Sequence, residues 1–330
     1  MYLCNAYMKC QKKKSMDITE FLSVWENDDD CIEVKTSGST GVPKKMRGKK
    51  NHMLASARRT NDFFGLKKGD RTLLCMSLDY IAGKMMAVRA IERGLQMDVV
   101  EPSGHPFANV SCCYDFIAMV PMQVWNTLHD EEEKNRLCHT RHLLIGGGEI
   151  SREMESELKL LPCQSWSSYG MTETLSHIAL RRVGGGLWYE PLPQVSLSLA
   201  SDGCLVITDE ATGVKDMKTN DIVEFHEDGR RFRILGRKDN VICSGGIKIQ
   251  AEEVERLLSD HFHLPFMITK QKDVKFGEVA VMVIESNDPS VIEEARAICG
   301  KHLPKYWLPR HYTIVPQLPR TETGKVVRVQ

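Results

Sequence analysis

Between residues 71 and 145 the chain alternates short apolar runs with helical patterns, and this alternation constrains the fold more than any other feature. Arg71 to Met76 reads as a strand. Gly83 to Gly94 reads as a helix carrying Met85, Met86, Val88 and Ile91. Residues 115–120 and 141–145 read as buried strands with a helical pattern between them. Strands separated by helices pair in parallel, because the helix carries the chain back across the sheet. The expectation is therefore an α/β core around a largely parallel sheet. Upstream, Ile32 to Lys35 alternates like a strand and Lys45 to Gly48 is its return partner. Residues 51–64 read as a helix capped by Asn51. Residues 1–30 read as a poorly determined lead-in with a solvated run at Asp28-Asp29-Asp30.

The texture changes near residue 190. Two hairpins with turns at Asp202-Gly203 and Asp228-Gly229 predict a small β subdomain. Residues 236–246, rich in glycine and charge, read as a hinge or linker. Beyond them come a helix at 251–259, strands near 264–269 and 277–285, a helix at 290–302 and a strand near 311–315. These make a small α+β domain of about 90 residues, within the usual size range.

Composition excludes several classes. Lysine plus arginine number 44 and aspartate plus glutamate number 44, so no bulk charge points to nucleic acid or an anionic membrane. The 11 cysteines are scattered, with no Cys-x-x-Cys pair, and read as free thiols of a reducing cytosol rather than a zinc site. Lys9 and Lys12 to Lys14 are not followed by an apolar run, which argues against a signal peptide. No stretch approaches the ~20 apolar residues of a membrane span.

Chemistry concentrates in six segments. Thr36-Ser37-Gly38-Ser39-Thr40-Gly41-Val42-Pro43-Lys44-Lys45 puts hydroxyls and glycines ahead of lysines, a pattern suited to polyphosphate. Gly38 and Gly41 are too close together for G-x-x-x-x-G-K-[ST], and no hydroxyl follows the lysine, so the loop belongs to another nucleotide-binding class. Gly146-Gly147-Gly148 follows a predicted strand. Tyr169-Gly170-Met171-Thr172-Glu173-Thr174, Thr219-Asn220-Asp221, Gly236-Arg237-Lys238-Asp239-Asn240 with Ser244-Gly245-Gly246, and Leu318 to Lys325 complete the set. Taken singly, each has an ordinary structural reading: a tight turn, a core tyrosine, a solvated linker, a tail lysine. In this order and spacing they are hard to obtain by chance.

Together they resemble the adenylate-forming superfamily of acyl-CoA ligases, adenylation domains and luciferases, from about residue 32 onward. The resemblance implies an adenylate-forming-enzyme fold: an N-terminal ATP- and acyl-binding domain over 1–236, a hinge at 237–240 and a mobile C-terminal α+β domain over 241–330. It implies a carboxylic acid activated by ATP with Mg2+ to an acyl-adenylate, then passed to coenzyme A. By that likeness Thr36, Ser37, Gly38, Ser39, Thr40, Gly41 and Lys44 hold the β- and γ-phosphates. Gly146, Gly147, Gly148, Tyr169, Gly170 and Met171 form the adenine pocket. Thr172 meets the α-phosphate, Glu173 carries magnesium, and Asp221 with Arg237 takes the ribose. Asp239 is the pivot, Ser244, Gly245 and Gly246 line the pantetheine path, and Lys325 serves adenylation.

Only 35 residues precede the loop here, so the resemblance implies a reduced N-terminal region. Within the superfamily the chain most resembles the 2-succinylbenzoate–CoA ligases of menaquinone synthesis. Tyr80 stands where many acyl-CoA ligases carry histidine, three residues before Gly83. Arg89 follows Gly83 by six residues, where the resemblance implies an arginine that reads a dianionic acid. Its ordinary reading is a surface arginine on the 83–94 helix. Lys84 is the second cation there.

Overall fold

The computed structural model describes residues 15–35, 45–110, 113–320 and 326–328. The loop Thr36 to Lys44 and the stretch 321–325, with Lys325, lie outside them.

The lead-in contains a helix that the sequence reading missed, α1 (Ile18–Glu26). The Asp17 side chain accepts from Glu20 N at 2.9 Å, and the Glu20 side chain accepts from Asp17 N at 3.1 Å. Asp-x-x-Glu ahead of an apolar run was the available signal, since this reciprocal pair satisfies two donors that a helix start leaves open. β1 (Cys31–Lys35) and β2 (Lys45–Lys49) pair antiparallel as expected, with Lys35 opposite Lys45. α2 (Lys50–Phe63) corrects one detail. Strand β2 runs straight into it, so Lys49 takes the cap position without a side-chain bond. Asn51 lies inside the first turn and accepts only from His52 N, at 2.8 Å.

The alternation then unfolds largely as predicted. β3 (Arg71–Leu74), α3 (Ile81–Arg93), β4 (Gln96–Val99), β5 (Phe116–Met119), α4 (Pro121–Leu128), α5 (Glu131–Cys138), β6 (His142–Ile145), α6 (Arg152–Leu158) and β7 (Gln164–Gly170) lay down five parallel strands in the order β4-β3-β5-β6-β7. β8 (His177–Arg182) and β9 (Glu190–Pro191) extend the sheet antiparallel. Successive strand side chains face opposite ways, so each strand feeds two cores. Leu74, Phe116, Ala118 and Leu144 pack against Met53 and Ala57 of α2 and Met85 to Val88 of α3. Leu73, Ile117, Met119, Leu143 and Ile145 pack against Val124 of α4, Leu137 of α5 and Met154 of α6.

β10 (Val195–Leu199), β11 (Cys204–Asp209), β12 (Val214–Phe225) and β13 (Phe232–Arg237) form an antiparallel sheet in chain order, with both expected hairpins. The predicted linker at 236–246 is a correction. Gly236 lies within β13, which runs to Arg237, a single 3-10 turn covers Lys238–Asn240, and β14 (Val241–Ser244) pairs with β15 (Ile247–Gln250) around a tight Gly245-Gly246 turn. α7 (Ala251–Leu258), β16 (Phe266–Asp273), β17 (Gly277–Glu285), α8 (Val291–His302) and β18 (His311–Val315) follow. The five strands β14 to β18 make one sheet, β18 lying parallel to β17. Its core joins Val254 and Leu258 of α7 and Ala295 and Cys299 of α8 to Ile242, Ile268 and Met282. No residue of that core belongs to the clusters before residue 237. Among the described residues, every cysteine is a free thiol, and no helix is long and apolar enough to cross a membrane.

Candidate active site

The parallel strands all end on one edge of the sheet, the edge where α/β folds place their ligands. The loop after β3, the Gly146 turn after β6 and the Gly170 turn after β7 meet there. Gly146 is pinned beneath the neighbouring strand: its N donates to Met119 O at 3.1 Å, and Ser168 Oγ donates to Ile145 O at 3.0 Å. A Cβ on Gly146 would fall 2.6 Å from Ser168 Oγ, while Gly147 turns at φ +83° and Gly148 is exposed. Only a residue without a side chain fits this packed, left-handed corner.

The second turn folds back more sharply. A Cβ on Gly170 would sit 2.4 Å from both His177 Cα and Ser176 O. Thr174 Oγ1 locks the turn, accepting from Met171 N at 3.1 Å and donating to Ser176 O at 2.7 Å. The lock buries Thr172 and leaves Glu173 exposed, with no ion pair to another described residue. A free carboxylate at that corner is a fitting hard oxygen donor for magnesium.

Beside it the structure brings together four residues singled out from sequence. Tyr169 OH donates to Asp221 Oδ2 at 2.7 Å. Arg237 stands opposite Asp221 across β12 and β13 and reaches its Oδ1 at 3.5 Å. Arg237 also meets Asp239 Oδ2 at 3.4 Å, where Asn220 Nδ2 donates at 3.2 Å. The Tyr169 ring packs edge-on to Phe232, with centroids 5.3 Å apart. Burial and the Asp221 charge push the Tyr169 hydroxyl well above its usual range, so it remains a donor at any physiological pH. Asp221 keeps lone pairs beyond those two contacts, so it fits a ribose with two hydroxyls.

The acid side is built from α3. A Cβ on Gly83 would strike Ser77 O at 2.3 Å, so the helix can approach the Ser77–Tyr80 loop only with glycine there. Tyr80 caps α3 and is partly exposed. Lys84 is buried and donates to Leu78 O, and burial lowers its pKa. Arg89 is not a surface residue: it is 3 % exposed. Its Nη2 donates to Ser176 Oγ at 2.7 Å, its Nη1 faces Met86 Sδ at 3.5 Å, and its Nε has no partner. Among the described residues no carboxylate pairs with it. Burial pulls its pKa down to about 10, which still leaves it charged at neutral pH. The sequence reading missed Ser176 and His177, which lie just past the Tyr169 motif. His177 Nε2 lies 3.2 Å from Thr60 Oγ1 and its Nδ1 3.3 Å from Ser176 Oγ.

Ser244, Gly245 and Gly246 stand apart from this cluster. Ser244 ends β14, and Gly245 and Gly246 form the two-residue turn to β15, with φ of +57° and +85°. Gly245 N donates to Phe276 O at 2.9 Å, and among the described residues no bond joins the turn to Tyr169 or Asp221.

Known proteins are similar to this chain in sequence and fold. Residues 10–230 match the AMP-binding enzyme family, and residues 270–325 match the AMP-binding enzyme C-terminal domain. The 2-succinylbenzoate–CoA ligase of Listeria monocytogenes serotype 4b is 26 % identical over 334 residues, covering 93 % of this chain and 70 % of that protein. An acyl-CoA synthetase (AMP-forming)/AMP-acid ligase II-like protein from Dyadobacter fermentans is 32 % identical, with a TM-score of 0.64 over 93 % of this chain and 90 % of that one. O-succinylbenzoate coenzyme A synthetase from Bacillus subtilis, solved with ATP and a magnesium ion, shares the fold at a TM-score of 0.75 and 22 % identity, covering 90 % of this chain and 68 % of that one. With one match spanning the parallel sheet and most of the antiparallel one and another reaching into the C-terminal sheet, the chain belongs to the AMP-binding enzyme family.

Proposed function

We propose that this protein is an ATP- and magnesium-dependent ligase that joins 2-succinylbenzoate to coenzyme A through an acyl-adenylate. The observation that carries the choice of acid is Arg89, a buried guanidinium with a serine hydroxyl and, among the described residues, no carboxylate. A buried cation lacking an anion is costly, and a substrate bearing a second carboxylate offsets that cost by a charged hydrogen bond. The succinyl carboxylate of 2-succinylbenzoate reacts, and the aromatic carboxylate stays charged against Arg89 and Ser176. The relatives' names support the same reading, as do the exposed Glu173 just past β7 and the Asp221–Arg237 pair held beside Tyr169.

In the first step a carboxylate oxygen bonds to the α-phosphorus of ATP, the bond to the β-phosphate breaks, and pyrophosphate leaves. Asp221 and Arg237 orient the ribose, Thr172 donates to the α-phosphate, and residues 36–44 grip the outer phosphates. Bound at Glu173, magnesium supplies charge neutralisation for the phosphate oxygens. Lys325 adds a cation to the same developing charge. In the second step the coenzyme A thiolate bonds to the acyl carbon and AMP leaves. The two steps need different neighbours, so residues 241–330 turn about 237–240 against residues 1–236, bringing the Ser244–Gly246 turn to the acyl group. The free thiols fit a cytoplasmic enzyme.

A panel of carboxylic acids tested for ATP-dependent pyrophosphate release checks the reading. Release with 2-succinylbenzoate, followed by thioester on adding coenzyme A, is expected; silence across the panel contradicts ligase chemistry. Lys325→Ala is expected to slow adenylation by about 10²–10³-fold while thioester formation from supplied acyl-adenylate survives. Equal damage to both steps removes Lys325 from that role.

A further inference from the structure

Arg328 lies three residues beyond Lys325 and is held from three directions. Its Nε donates to Ile268 O at 3.2 Å, its Nη2 bonds the Glu255 carboxylate, and its Nη1 stands 3.5 Å from Glu252 Oε1. Glu252 faces the other way as well. Asn240 Nδ2 donates to its Oε1 at 2.5 Å, and a Cβ on Gly236 would sit 2.4 Å from its Oε2. One carboxylate of α7 therefore touches both ends of the 236–240 segment and the C-terminal tail. The tail is clasped independently on its own sheet. Arg320 bridges Val326, Val327 N donates to Pro319 O at 2.8 Å, and Leu318 and Val326 pack with Met267, Val281 and Val283. That clasp would hold the tail without Arg328, so the guanidinium is not needed merely to keep it in place.

We propose that Arg328, acting through Glu252, is a positioning residue that ties the tail bearing Lys325 to the 236–240 segment, so that the two change setting together. The inference rests on the roles given above to Lys325 and to 237–240. Two carboxylates and a carbonyl around one planar fork fix a direction, which a lysine in its place would do less well. A misplacement of about 1 Å at a charge-neutralising group can cost on the order of 10²-fold in rate. Loss of the tie therefore falls on kcat of adenylation, while the groups that bind ATP and acid remain.

The test measures both half-reactions in Arg328→Gln, Arg328→Lys and Glu252→Gln, with hydrogen exchange on the same proteins. Expected are a fall of roughly 10–100-fold in adenylation kcat for Arg328→Gln, KM values near wild type, intact thioester formation from supplied acyl-adenylate, and partial recovery in Arg328→Lys. Glu252→Gln is expected to reproduce the defect with the tail's own residues unchanged, and remains informative if Arg328→Gln folds poorly. Exchange at the Val241 and Val327 amides is expected to quicken together in both Gln variants. Wild-type adenylation in both Gln variants, or quickening confined to 326–328, overturns the proposal. If the wild-type enzyme activates no acid, the ligase reading fails, and the exchange comparison still decides whether the two segments are tied.

Discussion

Arg59 and Arg89 are two buried guanidiniums that the protein treats in opposite ways. Arg59, on α2, meets Asp209 of β11 with both nitrogens at 2.8 and 3.0 Å, and Thr212 and Ala211 N saturate the same carboxylate. The pair stitches the small antiparallel sheet to the α/β core and neutralises that cation, leaving among the described residues only its Nε without a partner. Arg89, on α3, has one hydroxyl and a thioether. A charge kept in the interior without its anion is not a stability device, because burial penalises it and nothing described repays the loss. The first arginine is paired within the architecture and the second, on the function proposed above, serves recognition, although the sequence presents both as helix arginines.

The comparison breaks first at Asp209. Asp209→Ala strands Arg59 and is expected to cost about 3–5 kcal/mol in denaturant unfolding. A loss under about 1 kcal/mol would show that the seam does not depend on the pair. His177 gives a smaller, pH-dependent handle. It lies between the two cations, and burial first, then the charges of Arg89 and Arg59, push its pKa well below the usual 6.5. The unfolded chain therefore takes up a proton that the folded chain refuses. Stability is full above pH 6.5 and falls as the pH drops through the window beneath it, by about 1.4 kcal/mol per pH unit. His177→Gln is expected to flatten that acid slope; an unchanged slope would mean that the imidazole is not held neutral.

Much of the fold was legible because periodicity reports burial. The strand at His311–Val315 and the helix at Val291–His302 fall within a residue of their predicted bounds. The Gly146 and Gly170 turns fall at strand ends, because glycine where backbones touch leaves a mark in the sequence, whereas Thr219 to Asp221 lies inside β12. What was not legible depended on partners far along the chain. Arg59 and Asp209 lie 150 positions apart. For Arg89 the sequence left a surface and a substrate-reading role both open, because α3 is buried continuously from Gly83 to Ala90 and its pattern names no exposed face. The linker half of the 236–246 reading failed because glycines at positive φ, in a strand at Gly236 and in a tight turn at Gly245 and Gly246, have the same composition as a linker.

The central claim is that Arg89 waits for a carboxylate. The direct test compares kcat/KM for CoA thioester formation with 2-succinylbenzoate and with 4-oxo-4-phenylbutanoate, the same acid lacking only the aromatic carboxylate, in wild type and in Arg89→Met. Wild type is expected to prefer the dianion by roughly 10–150-fold, the size of a charged hydrogen bond of about 1.5–3 kcal/mol. Arg89→Met is expected to lose that preference while turning over the monoanion as before and melting no lower than wild type. Equal use of the two acids by wild type, or a preference that survives in Arg89→Met, would contradict the account.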